Sequence, residues 1–247
     1  MTKRSAAAAS ETVKEFPVHA YEELDLSKFL VKLRGEQKNG KPSFNASYDG
    51  QKLSVNLTPK TKWLHLPYAV DSSKYAKEEG NTETLRVQVT VDDEVAKVLV
   101  ELGESAKKQV REQMPNVEWF DSVKYTDNGA LFTAKMVLKS PDEKNLTLCT
   151  VRPYKQAVVK ATGKEVLGPL LEANRGLAKS KVKVSVSLHA VWFMKSSEKK
   201  DWIQSPNDPL LAGLTWRITN LVADVPEQTR YVHQDVFKDV VFDDEEE

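Results

Sequence analysis

Residues 85–114 read Leu-Arg-Val-Gln-Val-Thr-Val-Asp-Asp-Glu-Val-Ala-Lys-Val-Leu-Val-Glu-Leu-Gly-Glu-Ser-Ala-Lys-Lys-Gln-Val-Arg-Glu-Gln-Met, and the apolar period changes within them. Leu85, Val87, Val89 and Val91 alternate with polar residues, which marks a half-buried strand. Val91, Val95, Val98, Leu99, Leu102, Ala106, Val110 and Met114 then recur at intervals of three and four, the spacing of one amphipathic helix. Asp92 and Asp93 stand at its start, where carboxylates cap free amides and meet the positive end of the helix dipole, and Pro115 stops it.

Working outward, the rest of the chain is patterned as strands. Phe29/Val31/Leu33, Phe44/Ala46/Tyr48, Leu53/Val55/Leu57, Phe132/Ala134/Met136/Leu138 and Leu146/Leu148 alternate, each bounded by Gly, Pro, Asn or Asp. Asp49-Gly50 lies between two such runs, so Phe44–Tyr48 and Leu53–Leu57 are expected to pair as an antiparallel hairpin. A shorter helix is expected around Leu167–Leu177, opened by Pro169 and closed by Gly176. The longest strands, Lys181–Met194 and Leu214–Val225, are joined by the polar, Pro-rich connection Ser196–Pro209 and read as a long hairpin. There is no repeat of fixed period, which argues against a solenoid or propeller. Many short strands with one long helix among them fit a small barrel of the oligonucleotide-binding (OB) type better than a sandwich. The expected fold is mainly β: an OB-fold-like β-barrel with one long inserted α-helix and an additional N-terminal β-hairpin region. A disordered N-terminal arm is expected over residues 1–16, a single barrel domain with its N-terminal extension over 17–230, and an acidic C-terminal tail over 231–247.

The 247 residues carry 36 basic and 36 acidic side chains, so the formal charge is zero. That total hides a division. Residues 235–247 hold seven carboxylates against Lys238 alone, and subtracting this net −6 from zero leaves about +6 on the remainder. Phe237 and Phe242 sit among these acids, with Asp243, Asp244, Glu245, Glu246 and Glu247 closing the chain, so a partner protein has rings to grip as well as charge. Such an end is equally a solubility device. No run approaches the roughly 20 apolar residues of a membrane span, and the start lacks the apolar core of a signal peptide. With a single cysteine, Cys149, the chain reads as intracellular, with no membrane association.

No catalytic motif stands out. The four histidines are far apart and none has a ligand-spaced partner, so neither metal nor cofactor is expected. Thr162-Gly163-Lys164 fails as a phosphate loop, because Val158 stands where its first glycine belongs. The chain is read as a binding protein, not an enzyme.

What stands out is the run from Arg152 to Lys183, eight basic residues against Glu165 and Glu172. In an average protein this is a solvated face; here the alternation points further. Val182, Val184, Val186, Leu188, Ala190 and Trp192 fall on one face of their strand, while Lys181, Lys183, Ser185, Ser187, His189 and Phe193 fall on the other. Rings near the basic positions are candidate stacking platforms for unpaired bases: Phe193, Tyr154 beside Lys155, Trp63 and Trp202. Trp192 and Trp216 read as core, and Trp119-Phe120 as a packing plug.

The order of elements resembles the single-stranded DNA-binding protein of short-tailed phage replication systems and its relatives in large DNA viruses. The residues that carry the likeness are Leu85–Val91 and its helix, Ala130–Met136, Lys179–Ser185, Ala212–Leu221 and the acidic tail, over roughly residues 80–247. The resemblance implies an OB barrel, sequence-tolerant binding of single-stranded DNA, and a tail that docks replication proteins such as polymerase and primase/helicase, with roles in replication, recombination and repair. A homodimer is compatible with it. On the residues themselves, Arg152, Lys155, Lys181, Lys183 and Arg217 are expected to track phosphates while Tyr154, Phe193 and Trp63 or Trp202 stack bases. The tail is expected to cover this groove when DNA is absent. An interaction or structural module, in which the basic run meets an acidic protein, is the alternative, and RNA is the nearer rival ligand.

Overall fold

The computed structural model describes residues 17–36, 42–70, 77–79, 81–127, 129–195 and 210–227. In chain order the strands are β1 (Val18–Ala20), β2 (Phe29–Glu36), β3 (Pro42–Tyr48), β4 (Ser54–Asn56), β5 (Leu64–His65), β6 (Lys77–Glu79), β7 (Thr82–Val91), β8 (Val117–Phe120), β9 (Val123–Thr126), β10 (Gly129–Lys139), β11 (Leu148–Arg152), β12 (Val159–Ala161), β13 (Lys181–Lys195) and β14 (Leu210–Asp224). Helix α1 (Asp93–Gln113) lies between β7 and β8, and α2 (Lys164–Ala173) between β12 and β13. The fold is mainly β, as the alternation predicts. No helix among the described residues is long and apolar enough to cross a membrane. The expected arm, Trp202 and the acidic tail lie outside the described residues.

Twelve strands form one large sheet, and β2 with β3 forms a separate pair. Five strands of the large sheet return on themselves. β5 pairs with β7 at His65↔Thr90, β7 with β10, β10 with β14, β14 with β13, and β13 with β5 at Lys181↔His65. All are antiparallel except β10–β14, which runs parallel through Lys135↔Arg217 and Met136↔Ile218. The ring closes because each strand buries one side of its alternation. Leu85, Val87 and Val89 face inward opposite Met136, Ala134 and Phe132. Trp216, 1% exposed, stands edge-on to Phe132 with ring centroids 6.0 Å apart.

Helix α1 begins where the sequence places it: the Asp92 carboxylate accepts the Val95 N–H at 3.0 Å. It buries Val95, Leu99, Leu102, Ala106 and Val110. Two glutamines one turn apart also face the open edge of β2. Gln109 Oε1 accepts the Val31 N–H at 2.8 Å and Gln113 Oε1 accepts the Leu33 N–H at 3.1 Å. Gln109 Nε2 donates back to the Phe29 carbonyl at 3.2 Å.

Three expectations are corrected. Asp49-Gly50 does make a tight turn, with φ of 49° and 75° and Tyr48 and Gln51 exchanging hydrogen bonds of 2.8 and 2.9 Å. Yet β3 pairs with β2, and β4 pairs with β1 and β13. Leu53, Val55 and Leu57 are wholly buried there, a burial that a hairpin with β3 would not supply. The second helix starts at Lys164, so Pro169 lies inside it and removes one helical hydrogen bond; Gly176, φ 60°, follows in a separate turn.

The third correction concerns β13. Leu188 faces Trp216 but Ala190 faces Thr215, so His189 is an extra residue and the alternation reverses after it. Phe193 is therefore turned inward, 3% exposed, with its ring centroid 5.3 Å from that of Phe44. Trp192 is turned to the outer face. Replacing Asp92 with alanine is predicted to lower stability by about 1 kcal/mol through the lost cap, read as a lower urea midpoint at unchanged m value.

Candidate nucleic-acid interface

The inward residues of β7, β10 and β14 dictate what stands on their outer face. In register across these three strands are Arg86, Lys135 and Arg217, one cation per strand. Neighbouring strands lie about 4.8 Å apart, so three charges meet over roughly 10 Å. Among the described residues no carboxylate lies within ion-pair distance of Arg86 or Lys135. A row of cations on a pleated surface is an arrangement that the backbone of a polyanion can follow.

Beside this row lies an aromatic cleft. On adjacent strands β8, β14 and β13 the register places Phe120, Gly213 and Trp192 in line. Gly213 is required there: a Cβ would fall 2.7 Å from the Phe120 carbonyl oxygen and 2.9 Å from the Trp192 ring. The two rings face each other over it, centroids 6.2 Å apart and tilted by 58°. Phe120 is 63% exposed, and Trp192 is half-buried. Together with Arg86, Lys135, Asp121, Thr133 and Thr215 they line a cavity of about 280 Å³. Rings at one wall and cations at the other are what an unpaired base and its phosphate need. Trp119-Phe120 is thus not a plug as a whole: β8 alternates, so Trp119 packs toward Gly103 while Phe120 faces out.

Further along β13 and β14 the structure gathers several of the expected residues on one outer face. Arg152, Asp224, Lys181 and His65 stand in one row across β11, β14, β13 and β5. Lys160, Thr150, Val222 and Lys183 stand in the next, across β12, β11, β14 and β13. Arg152 is held by Asp224 at 3.2 Å, so part of its charge is spent within the protein. Lys183 Nζ lies 5.0 Å over the ring of Trp63, and Lys155 Nζ lies 5.0 Å over that of Tyr154, which is 41% exposed. Arg217 belongs to the Lys135 row instead. Phe193 is core, and Trp192 stands on the outer face in its place.

Two local charges are perturbed. Burial, and then the nearby guanidinium of Arg217, hold Lys52 below the ordinary lysine value, with Asp142 acting in the opposite sense. Burial in β11 pushes the Cys149 thiol up to about 12, so it is a packed apolar group at neutral pH. Sequence reasoning passed over Arg86, Lys135, Phe120, Trp192 and Lys52. The outward parity of Arg86 and Lys135 is visible in their strands, but no periodicity shows that those strands are neighbours.

No family model matches the chain, and no curated protein matches it. Among solved structures, the crystal structure of gp2.5, a single-stranded DNA-binding protein encoded by bacteriophage T7, aligns at 15% identity over 78% of this chain and 97% of that one, with a TM-score of 0.38. A likeness that loose decides nothing about this chain. The positions of Phe193 and Phe120 make a paired prediction. Phe193→Ala should cost about 3–5 kcal/mol of stability, whereas Phe120→Ala should stay within about 0.5 kcal/mol of wild type, both read by urea unfolding.

Proposed function

We propose that the chain binds single-stranded DNA without regard to sequence, the cations Arg86, Lys135 and Arg217 holding phosphates while Phe120 and Trp192 receive a base. The observation that carries this reading is the three-strand cation row set directly against the aromatic cleft. A base offers a π-face worth about 1–3 kcal/mol on such a ring, whatever its identity. Phosphate contacts are equally blind to sequence.

The ring formed by β5, β7, β10, β14 and β13 is, on this reading, an OB-type barrel. What supports it is the order of pairing: numbering these strands one to five along the chain, neighbours run one, two, three, five, four, with three and five parallel. The second and third strands, β7 and β10, carry Arg86 and Lys135, and oligonucleotides bind that face in barrels of this type. The basic face bearing Lys181, Lys183 and Trp63 extends the surface. The activity is binding, not catalysis, in the service of DNA replication, recombination or repair.

The acidic tail, residues 231–247, is assigned two tasks: covering the basic face in the absence of DNA and docking replication proteins when displaced. Supporting this, the described chain ends close to that face, where the Val225 N–H donates to the Arg152 carbonyl at 3.0 Å. Removing residues 235–247 should tighten DNA binding at low salt and change it little at high salt, where screening dissolves the contest. Equal affinities at low salt would end the gating idea.

The direct test is a fluorescence titration of the full chain with oligothymidine at low and moderate salt. Saturating tryptophan quenching that weakens steeply with salt is expected. Lys135→Ala should raise Kd by about tenfold, and Phe120→Ala by at least about fivefold. Binding that ignores both substitutions would sink this assignment, and tighter binding of oligouridine would move it to RNA.

A further inference from the structure

We propose that Asp121 makes the aromatic cleft selective for a base whose Watson–Crick edge carries hydrogen-bond donors, guanine before all others. The inference rests on the single-strand reading above and adds one discriminating position to an otherwise sequence-blind surface.

Strand pairing places the residue. Along β14, Leu210–Gly213 pair with β8, whereas Arg217 and Ile218 pair with β10. Along β10, Gly129–Phe132 pair with β9 before Lys135 and Met136 meet β14. Strands β10 and β14 therefore part like a fork toward Thr133 and Thr215, and Asp121-Ser122, the corner joining β8 to β9, fills the gap. The corner is pinned on both sides. Phe120 is in register with Gly213 of β14, and the Thr133 N–H of β10 donates to the Ser122 carbonyl at 2.8 Å. Asp121 is thus carried on fixed backbone, directly after Phe120, and lines the same cavity as the two rings.

Asp121 is exposed at the cleft, and among the described residues it forms no ion pair and accepts no hydrogen bond. It does not cap the corner on which it stands, the usual task of an aspartate in a turn. Toward a phosphodiester it is a repulsion that every sequence meets alike. Donors on the base offset that cost. A base whose face lies on Phe120 or Trp192 shows its edge to the rest of the cavity, and in an unpaired strand the Watson–Crick edge is free to be read. A carboxylate only accepts, at two oxygens side by side. Guanine matches it with two adjacent donors, N1–H and the N2 amino group, in bidentate fashion. Cytosine and adenine offer one amino group next to a ring-nitrogen acceptor. Thymine offers N3–H between two carbonyl oxygens, both of which the carboxylate repels. The hydroxyls of Thr133 and Thr215 can donate or accept, so they do not set this order.

The test is a competition in which unlabelled strands displace a dye-labelled oligothymidine from the full chain, read by fluorescence anisotropy. Replacing one central thymine with guanine should tighten binding by about tenfold, the discrimination of one good bidentate pair. Hypoxanthine, which keeps N1–H but lacks the amino group, should gain no more than about threefold. Asp121→Asn should bring the guanine strand and oligothymidine within about twofold of each other, and should bind oligothymidine more tightly than wild type because a repulsion is gone. A guanine preference that survives in Asp121→Asn would overturn the selectivity. So would its absence from wild type while Lys135→Ala and Phe120→Ala weaken oligothymidine binding as expected, an outcome that leaves the single-strand reading standing. Equal weakening of both strands by Asp121→Asn, together with a lower urea midpoint, would show a structural carboxylate and overturn it as well. If Lys135→Ala and Phe120→Ala are without effect on oligothymidine, the single-strand reading itself fails and the selectivity fails with it.

Discussion

The structure depends on the two edges of β14. Along one edge this strand is hydrogen-bonded to β13 through nearly its whole length; along the other it meets β8, β10 and β11 in succession, all parallel to it. Lys135, Arg217, Phe120, Trp192, Arg152, Lys181 and Lys183 are placed by these four ladders, and Arg86, His65 and Lys160 hang on strands one step further out. The inner side chains Leu214, Trp216, Ile218, Leu221 and Ala223 are buried at the same time, so the strand cannot rotate without exposing them. Parallel contacts between segments distant in sequence close large loops, so these rows carry a loop-closure cost that burial of the core must offset.

Much of this was legible in the residues. Alternation finds β7, β10, β13 and β14, because a buried face imposes its period wherever the strand is regular. The helix from Asp93 to Gln113 is equally plain, since its cap, stripe and stop agree. What failed did so for identifiable reasons. His189 adds one residue to β13, and a single insertion exchanges the faces of everything beyond it, Trp192 and Phe193 included. A bulge leaves no mark in composition when the residues on both sides are apolar. The Asp49-Gly50 turn shows the complementary limit: local chemistry specifies that the chain turns, while long-range burial decides which strand it joins.

The candidate interface divides along the same line. Lys181 and Lys183 are recognisable as a basic face because they lie two apart on one strand. The Arg86, Lys135 and Arg217 row is spread over three strands and more than a hundred residues, so nothing short of the pairing reveals it. Gly213 is a further case. As a residue in a strand it reads as a weakness, whereas here its missing side chain is the space in which two rings confront each other. The electrostatics agree with the geometry: Arg152 and Lys164 are engaged with Asp224 and Glu83, while no described carboxylate lies within ion-pair distance of Arg86 or Lys135.

The contact between α1 and the β2–β3 pair has a consequence for how copies of this chain behave when crowded. An open strand edge offers unsatisfied amides and carbonyls to any other extended backbone, and is a template for unwanted sheet growth. Gln109 and Gln113 occupy those groups at Val31, Leu33 and Phe29 with side-chain amides, which mimic a neighbouring strand but cannot be extended by another. The helix thereby terminates the small sheet chemically as well as sterically. Copies of the chain brought side by side therefore meet at this edge a surface that cannot stitch them into a fibre.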